Sequence, residues 1–99
     1  MAITKRVTVM TTNEIYAKIM SLRDKVHCLN EQIDIHHRGI QQLLIERRNS
    51  VNWDQYRIRV WNFQILGNRV RILDLRHRID NLNNEILDLH EEIDRINDS

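Results

Sequence analysis

The side chains of this sequence that could do chemistry are five histidines, a single cysteine and a large set of arginines. A helical metal site needs ligands on one face, typically two histidines four residues apart. His36 and His37 are instead adjacent, as are His27 and Cys28, so the two members of each pair point about 100° apart on a helix. There is also no glycine-rich phosphate loop and no nucleophile–base signature. We therefore predict no metal site, no cofactor and no catalytic residue. The expected protein is not an enzyme.

The arginines are unevenly placed. Nine of them stand against three acids between His37 and Arg78, whereas seven acids stand against one arginine between Ile79 and Ser99. Such asymmetry indicates either a nucleic-acid surface or complementary self-association. The candidate nucleic-acid-binding residues, which would contact duplex phosphates, are Arg23, Lys25, Arg57, Arg59, Arg69 and Arg76. The competing interpretation is that these basic groups pair with acidic side chains of a neighbouring molecule.

Helices must position these side chains, because the 99 residues include no proline and only two glycines. Apolar residues recur at alternating steps of three and four from Ile58 to Ile96, with Ile at every a position of a heptad. A second heptad series runs from Ile15 to Leu43. Such series predict a coiled coil.

The heptad register fails after Leu43, next to a turn-like segment at residues 48–52. We predict an all-α fold, a long antiparallel two-helix hairpin. Its domain covers residues 11–99, with a helix at 11–48, a turn at 49–52 and a helix at 53–97, preceded by a flexible arm at 1–10. Thr11 with Glu14 fits an N-terminal capping box, and Ser50 or Asn52 would begin the second helix. One continuous bent helix in a parallel bundle is the alternative architecture.

The hairpin arrangement predicts a register, that is, which residues of the two helices lie level with each other. Pairing Ile40 with Trp61 and Ile33 with Asn68 joins residues whose numbers sum to 101. In that register Gly39 would make room for the indole of Trp61. Two polar residues fall inside the seam: Asn68 predicts a layer that specifies register, and His36 a neutral core residue or a pH-sensitive layer.

The second helix also matches a copy of itself. Antiparallel pairing centred near Asn81 brings Arg71 opposite Glu92 and Arg78 opposite Glu85. This favours two hairpins docked as a homodimer, an elongated four-helix bundle. The predicted interface residues are Arg71, Ile72, Leu75, Arg78, Ile79, Leu82, Glu85, Ile86, Leu89 and Glu92. A second apolar stripe lies about 100° or more from the seam and comprises Leu66, Val70, Leu73 and Leu87. It would either add contact area to the dimer or consist of scattered solvent-facing residues.

Two segments, SLRDKV at 21–26 and QQLLIERR at 41–48, resemble the first helix of the all-helical chorismate mutases. The resemblance implies an intertwined helical dimer in which basic side chains hold a dicarboxylate. The sequence departs from that family by about one extra heptad between the two segments. It also has no lysine after Lys25, and it has one long second helix where the family has two shorter ones.

We expect a structural or adaptor protein that self-assembles and docks another helical protein. The alternative is a small helical dimer that binds duplex RNA or DNA, and a chorismate-mutase-like enzyme is more distant. A single cysteine excludes an internal disulfide framework. No apolar run approaches the roughly 20 residues that span a bilayer, and no signal-peptide core is present. The expected location is therefore cytoplasmic, in a reducing compartment and without a membrane partner, and a viral or phage origin would fit equally well.

Overall fold

The chain folds into two long helices packed side by side. A computed structural model describes residues 10–51 and 54–98 and contains α1 (Thr12–Asn49) and α2 (Gln55–Asp98). With 38 and 44 residues, the helices are about 57 and 66 Å long at 1.5 Å per residue. The all-α antiparallel hairpin is confirmed. The predicted arm at 1–10 lies outside the described residues except for Met10. Asn52, the last residue of the predicted turn, and Trp53, the first of the predicted second helix, also lie outside them.

A hydrogen-bonded side chain caps the start of each helix. The Thr11 hydroxyl accepts from the backbone N–H of Glu14 at 3.2 Å and donates to the Glu14 carboxylate at 3.1 Å, which confirms Thr11 as the cap of α1. At α2 the Asp54 carboxylate accepts from the backbone N–H of Arg57 at 2.7 Å. The cap satisfies an N–H group that has no partner within the helix. The second cap is therefore Asp54 and not Ser50, while Asn52 lies outside the described residues.

The core consists of the a and d residues of both heptad series, in two clusters along the interface. One cluster contains Ile33, Ile40, Ile65, Ile72 and Leu75. The other contains Ile15, Ile19 and Ile93, with Met10, Ile86, Leu89 and Ile96 packed against it. All the buried side chains among the described residues are apolar. Burial of these side chains is the main source of stability that the hairpin has.

The register of the two helices differs from the predicted one by one heptad. Ile15 shares a buried cluster with Ile93. The predicted register, in which the numbers of level residues sum to 101, would place Ile15 level with Ile86. The missing Cβ of Gly39 would lie 3.7 Å from Asn68 Oδ1, so the prediction that Gly39 accommodates Trp61 is wrong. The residue numbers sum to 108 for Ile15 with Ile93 and to 107 for Gly39 with Asn68. Residues that lie level with each other along the hairpin thus have numbers that sum to about 108.

A shift of one heptad keeps the same residues inside. It changes only which a residue faces which d residue, so the heptad period alone does not distinguish the two registers. With a constant of 101, Ile93 would lie level with residue 8, before the start of α1. In the observed register Ile93 has a helical partner and is 3% exposed. The turn is correspondingly displaced towards Asp54.

Candidate interaction surface

The apolar part of the predicted dimer interface lies inside the hairpin. Ile72 and Leu75 are 4% and 6% exposed and belong to the larger core cluster, against which Ile79 packs. Ile86 and Leu89 pack against the smaller cluster, and Leu82 is half-buried. A second copy of the chain would therefore reach few of these side chains while α1 and α2 remain together.

The charged members of that predicted interface lie along the rim of the hairpin. Arg71, Arg78 and Glu85 are exposed and Glu92 is half-buried. Arg78 forms an ion pair with Asp74 of its own helix at 3.2 Å. Exposed pairs of this kind contribute only about 0.3–0.5 kcal/mol. These charges are available to a partner, but they lie beside an apolar seam that is already occupied.

The outer face of α2 carries a continuous apolar stripe that the described residues leave exposed. This outer stripe consists of Phe63, Leu66, Val70 and Leu73, which are between 56% and 78% exposed. The members are spaced by three, four and three residues, so they form a second heptad seam at the f and b positions. Those positions lie about 100–140° from the a position. The stripe thus lies on the side of α2 away from the a/d seam, although Leu66 and Leu73 also border grooves that α1 lines.

The outer stripe contains the residues that the sequence suggested as a second contact, except for Leu87. Leu66, Val70 and Leu73 are exposed, as expected of either interpretation of that stripe. Leu87 lies on the same line two heptads beyond Leu73 and is 57% exposed. Phe63, at 78%, was missed in the sequence, although its spacing of three from Leu66 would have identified it.

The candidate nucleic-acid residues are all exposed, but they do not form one row. Arg69 and Arg76 line a groove with His37, whereas Lys25 lines a groove with Arg78 on the opposite edge of the hairpin. Arg57 occupies a g position, as Arg78 does, and therefore lies on the same edge of the hairpin as Lys25. The arginines are therefore divided between the two edges.

Two more of these candidates lie on the edge of Arg69. Arg23 is within 3.5 Å of His90 across the helix pair, at e positions of both helices. Arg59 occupies a b position beside the outer stripe. Arg23 and Lys25, which belong to one segment of the chorismate-mutase resemblance, thus lie on opposite edges and do not converge on one pocket.

A polar layer crosses the core between the two helices. His36 Nδ1 lies 2.8 Å from Asn68 Oδ1, and Asn68 Nδ2 donates to the carbonyl of Gln64 at 3.0 Å. Because the Asn68 amide group uses its nitrogen as donor to Gln64, its oxygen must accept from a protonated Nδ1 of His36. No buried side-chain nitrogen or oxygen lacks a partner in the part of the chain that the structure describes.

The described residues offer little for a metal or for an enclosed substrate. No group of three His, Cys, Asp or Glu side chains within residues 10–51 and 54–98 is arranged to hold a metal ion. A groove of about 640 Å³ runs along the junction of the two helices and includes Lys25, Cys28 and Arg78. Of the helices described, neither is apolar enough over its length to cross a membrane.

The fold and the surface define an all-α helical hairpin with an unpartnered apolar face. No family model, no curated protein and no solved structure matches the chain. The geometry of the described residues is therefore the basis for any statement about function.

Proposed function

We propose that this chain is a non-enzymatic coiled-coil protein that self-assembles and docks helical partners through the outer stripe of α2. The observation that carries the proposal is the stripe itself: four large apolar side chains in heptad spacing, all more than half exposed. Contiguous exposed apolar patches on soluble proteins mark contact surfaces.

The energetics of the stripe support association. Full burial of a Leu, Val or Phe side chain contributes about 1.5–3 kcal/mol. Four such side chains in each copy would supply several kcal/mol, which must exceed the loss of translational and rotational freedom on association. A helical partner suits this surface best, because a seam at steps of three and four accepts the side chains of another helix between its own.

A pair of matched variants tests the proposal. Replacing Leu66 and Leu73 with glutamate should abolish self-association in sedimentation equilibrium and leave the helical content unchanged, since both side chains are exposed. The control replaces Ile35 and Ile45 with glutamate, at exposed positions on the outer side of α1, and should still associate. Equal effects of the two double variants, or a wild-type chain that stays monomeric at every concentration, would show the proposal to be wrong.

Nucleic-acid binding is the second candidate function, favoured by the charges on one edge of the hairpin. The two grooves on that edge are lined in part by Arg47, Arg69, Arg76 and His37, and no acidic residue lines either of them. Arg69 and Arg76 are spaced about 10.5 Å apart along the helix axis, and neither has an ion-pair partner among the described residues. Two adjacent grooves lined by basic and not by acidic side chains would attract a phosphate backbone.

A mobility-shift assay over a salt series tests this candidate. Duplex RNA and duplex DNA should both bind at about 50 mM salt and dissociate steeply as salt increases, because bound phosphates release counterions. Replacement of Arg69 and Arg76 with glutamine should reduce the salt slope, whereas replacement of Arg57 and Arg71 on the other edge should change it less. Absence of binding at low salt would eliminate this function.

A further inference from the structure

The outer stripe contains a ready-made hole for one side chain of a partner helix. In coiled coils each inserting side chain occupies a hole formed by four residues at positions i, i+3, i+4 and i+7 of the facing helix. Phe63, Leu66, Gly67 and Val70 have this spacing. Three of the four are large and apolar, and the fourth has no side chain.

Gly67 borders a groove that Gly39 and Leu43 of α1 also line, but no contact within the described part of the hairpin requires a glycine there. Among the described residues nothing lies within 4 Å of where its Cβ would be, so the fold of one chain leaves room for a larger residue. Glycine in a helix interior lowers helix stability relative to alanine. A glycine on the exposed face, within the hole, is what a closely approaching side chain of another molecule would require.

Leu87 is the matching side chain. It is the only large apolar side chain that is exposed in the acidic half of α2, residues 79–98. It occupies a b position, the same position as Leu66 and Leu73, so it projects from the same face of the helix. Nothing in the hairpin covers it.

We infer that two copies pack antiparallel through the outer faces of their α2 helices, with Leu87 of each copy inserted between Phe63, Leu66, Gly67 and Val70 of the other. This inference rests on the proposed function and names the partner as a second copy. Leu66 then lies level with Leu87 of the second copy, and Gln55 with Asp98. The two α2 helices overlap over their full length of 44 residues.

The charges of α2 complement each other in this alignment. The basic half, residues 55–78, carries six arginines and one acid, and the acidic half carries seven acids and one arginine. The basic half of each copy lies along the acidic half of the other. On the facing side, Arg59 is level with Asp94 of the second copy, and Arg76 is within about one turn of Asp80. The arrangement occurs twice because of the two-fold symmetry.

The competing alignment packs one outer stripe directly on the other. It buries all four side chains of the outer stripe, whereas in the inferred alignment Leu73 lies level with Asp80 of the second copy. The overlap, however, covers only residues 55–81. The basic halves then face each other, and Arg69 approaches Arg69 of the second copy across the two-fold axis. Like charges at such a position oppose association. Leu87 and the acidic half would remain uncovered.

Single cysteines near each two-fold axis distinguish the alignments. In a Cys28→Ser background, His77→Cys should form covalent dimers with a short thiol cross-linker, because residue 77 lies beside the axis of the inferred dimer. Arg69→Cys should not, since its two copies would be about 22 Å apart along the axis. Dimers formed by the residue 69 cysteine alone would overturn the inferred alignment and leave the proposed function standing. Cross-linking of neither cysteine would overturn the inference.

A substitution of Leu87 supplies the matching thermodynamic test. Leu87→Glu should weaken dimerisation in sedimentation equilibrium by about tenfold or more, whereas Ile35→Glu on α1 should leave it unchanged. Circular dichroism of both variants checks that the exposed substitutions preserve the helices. A Leu87→Glu chain that dimerises as tightly as the wild type would contradict the insertion of Leu87, even if variants of the outer stripe still prevent association.

Discussion

The imidazole of His36 on α1 donates a hydrogen bond to the amide oxygen of Asn68 on α2 over 2.8 Å. The amide nitrogen of Asn68 in turn donates to the Gln64 carbonyl at 3.0 Å. The amide of Asn68 thus has a hydrogen-bond partner at both its oxygen and its nitrogen. Such layers commonly specify register, because any slip of the helices would leave these half-buried polar groups without partners.

Breaking this layer on one side should destabilise the hairpin. Asn68→Ala leaves the Nδ1–H of His36 without its acceptor. Because the hydrogen bond is part-buried, the cost should be about 0.5–1.5 kcal/mol. Urea unfolding followed by circular dichroism measures the change. The double substitution His36→Leu with Asn68→Leu should be less destabilising than Asn68→Ala or even stabilising, since it removes both polar groups together. If Asn68→Ala lowered the free energy of unfolding no more than the double leucine substitution, the hydrogen bond would have no stabilising role.

The observed register predicts a large effect at Ile93. This side chain is 3% exposed and clusters with Ile15 and Ile19, so Ile93→Ala should cost about 2–5 kcal/mol in the free energy of unfolding. With the register derived from the sequence, residue 93 would face no helix and the substitution would cost little. Leu87→Ala, at an exposed position of the same helix, is the control and should change the stability of the monomer by less than about 0.5 kcal/mol.

The cap of α2 can be tested by its chemistry. Asp54→Ala removes the acceptor for the Arg57 backbone N–H and should lower stability by about 1 kcal/mol. Asp54→Asn retains an acceptor at the same place and should stay near the wild type. If alanine and asparagine have equal effects on the urea midpoint, the hydrogen bond to Asp54 does not stabilise the helix.

Gly67→Ala should have opposite effects on folding and on association. Because no atom of the described residues lies within 4 Å of the added Cβ, the substitution should stabilise the hairpin by up to about 1 kcal/mol through helix propensity. The measurement is urea unfolding at a concentration where the chain is monomeric. In sedimentation equilibrium the same variant should dimerise more weakly, since the added methyl group narrows the hole. A variant that folds and dimerises more strongly would contradict a close approach at Gly67.

The heptad spacing determined the helices, their inner faces and their antiparallel arrangement. Ile at each a position and mostly Leu at d leave one apolar seam on each helix, and a turn-rich segment between the two series joins neighbouring antiparallel helices. Thr11 was identified as a cap because its hydroxyl and the N–H three residues later meet through local geometry alone. These features depend on residues close together in the chain.

The tertiary structure alone decided the register and, with it, the surface. The heptad repeats every seven residues, so registers one heptad apart bury the same side chains. Contacts between the helices, such as those of Ile15 with Ile93 and of Gly39 with Asn68, distinguish them. The same packing placed Ile72 and Leu75 inside the hairpin and left Phe63, Leu66 and Gly67 outside. From the sequence, the a/d seam and the outer stripe both qualified as dimer surfaces. Their roles separate once α1 covers one of them, because a side chain already packed in the core is not available to a second copy.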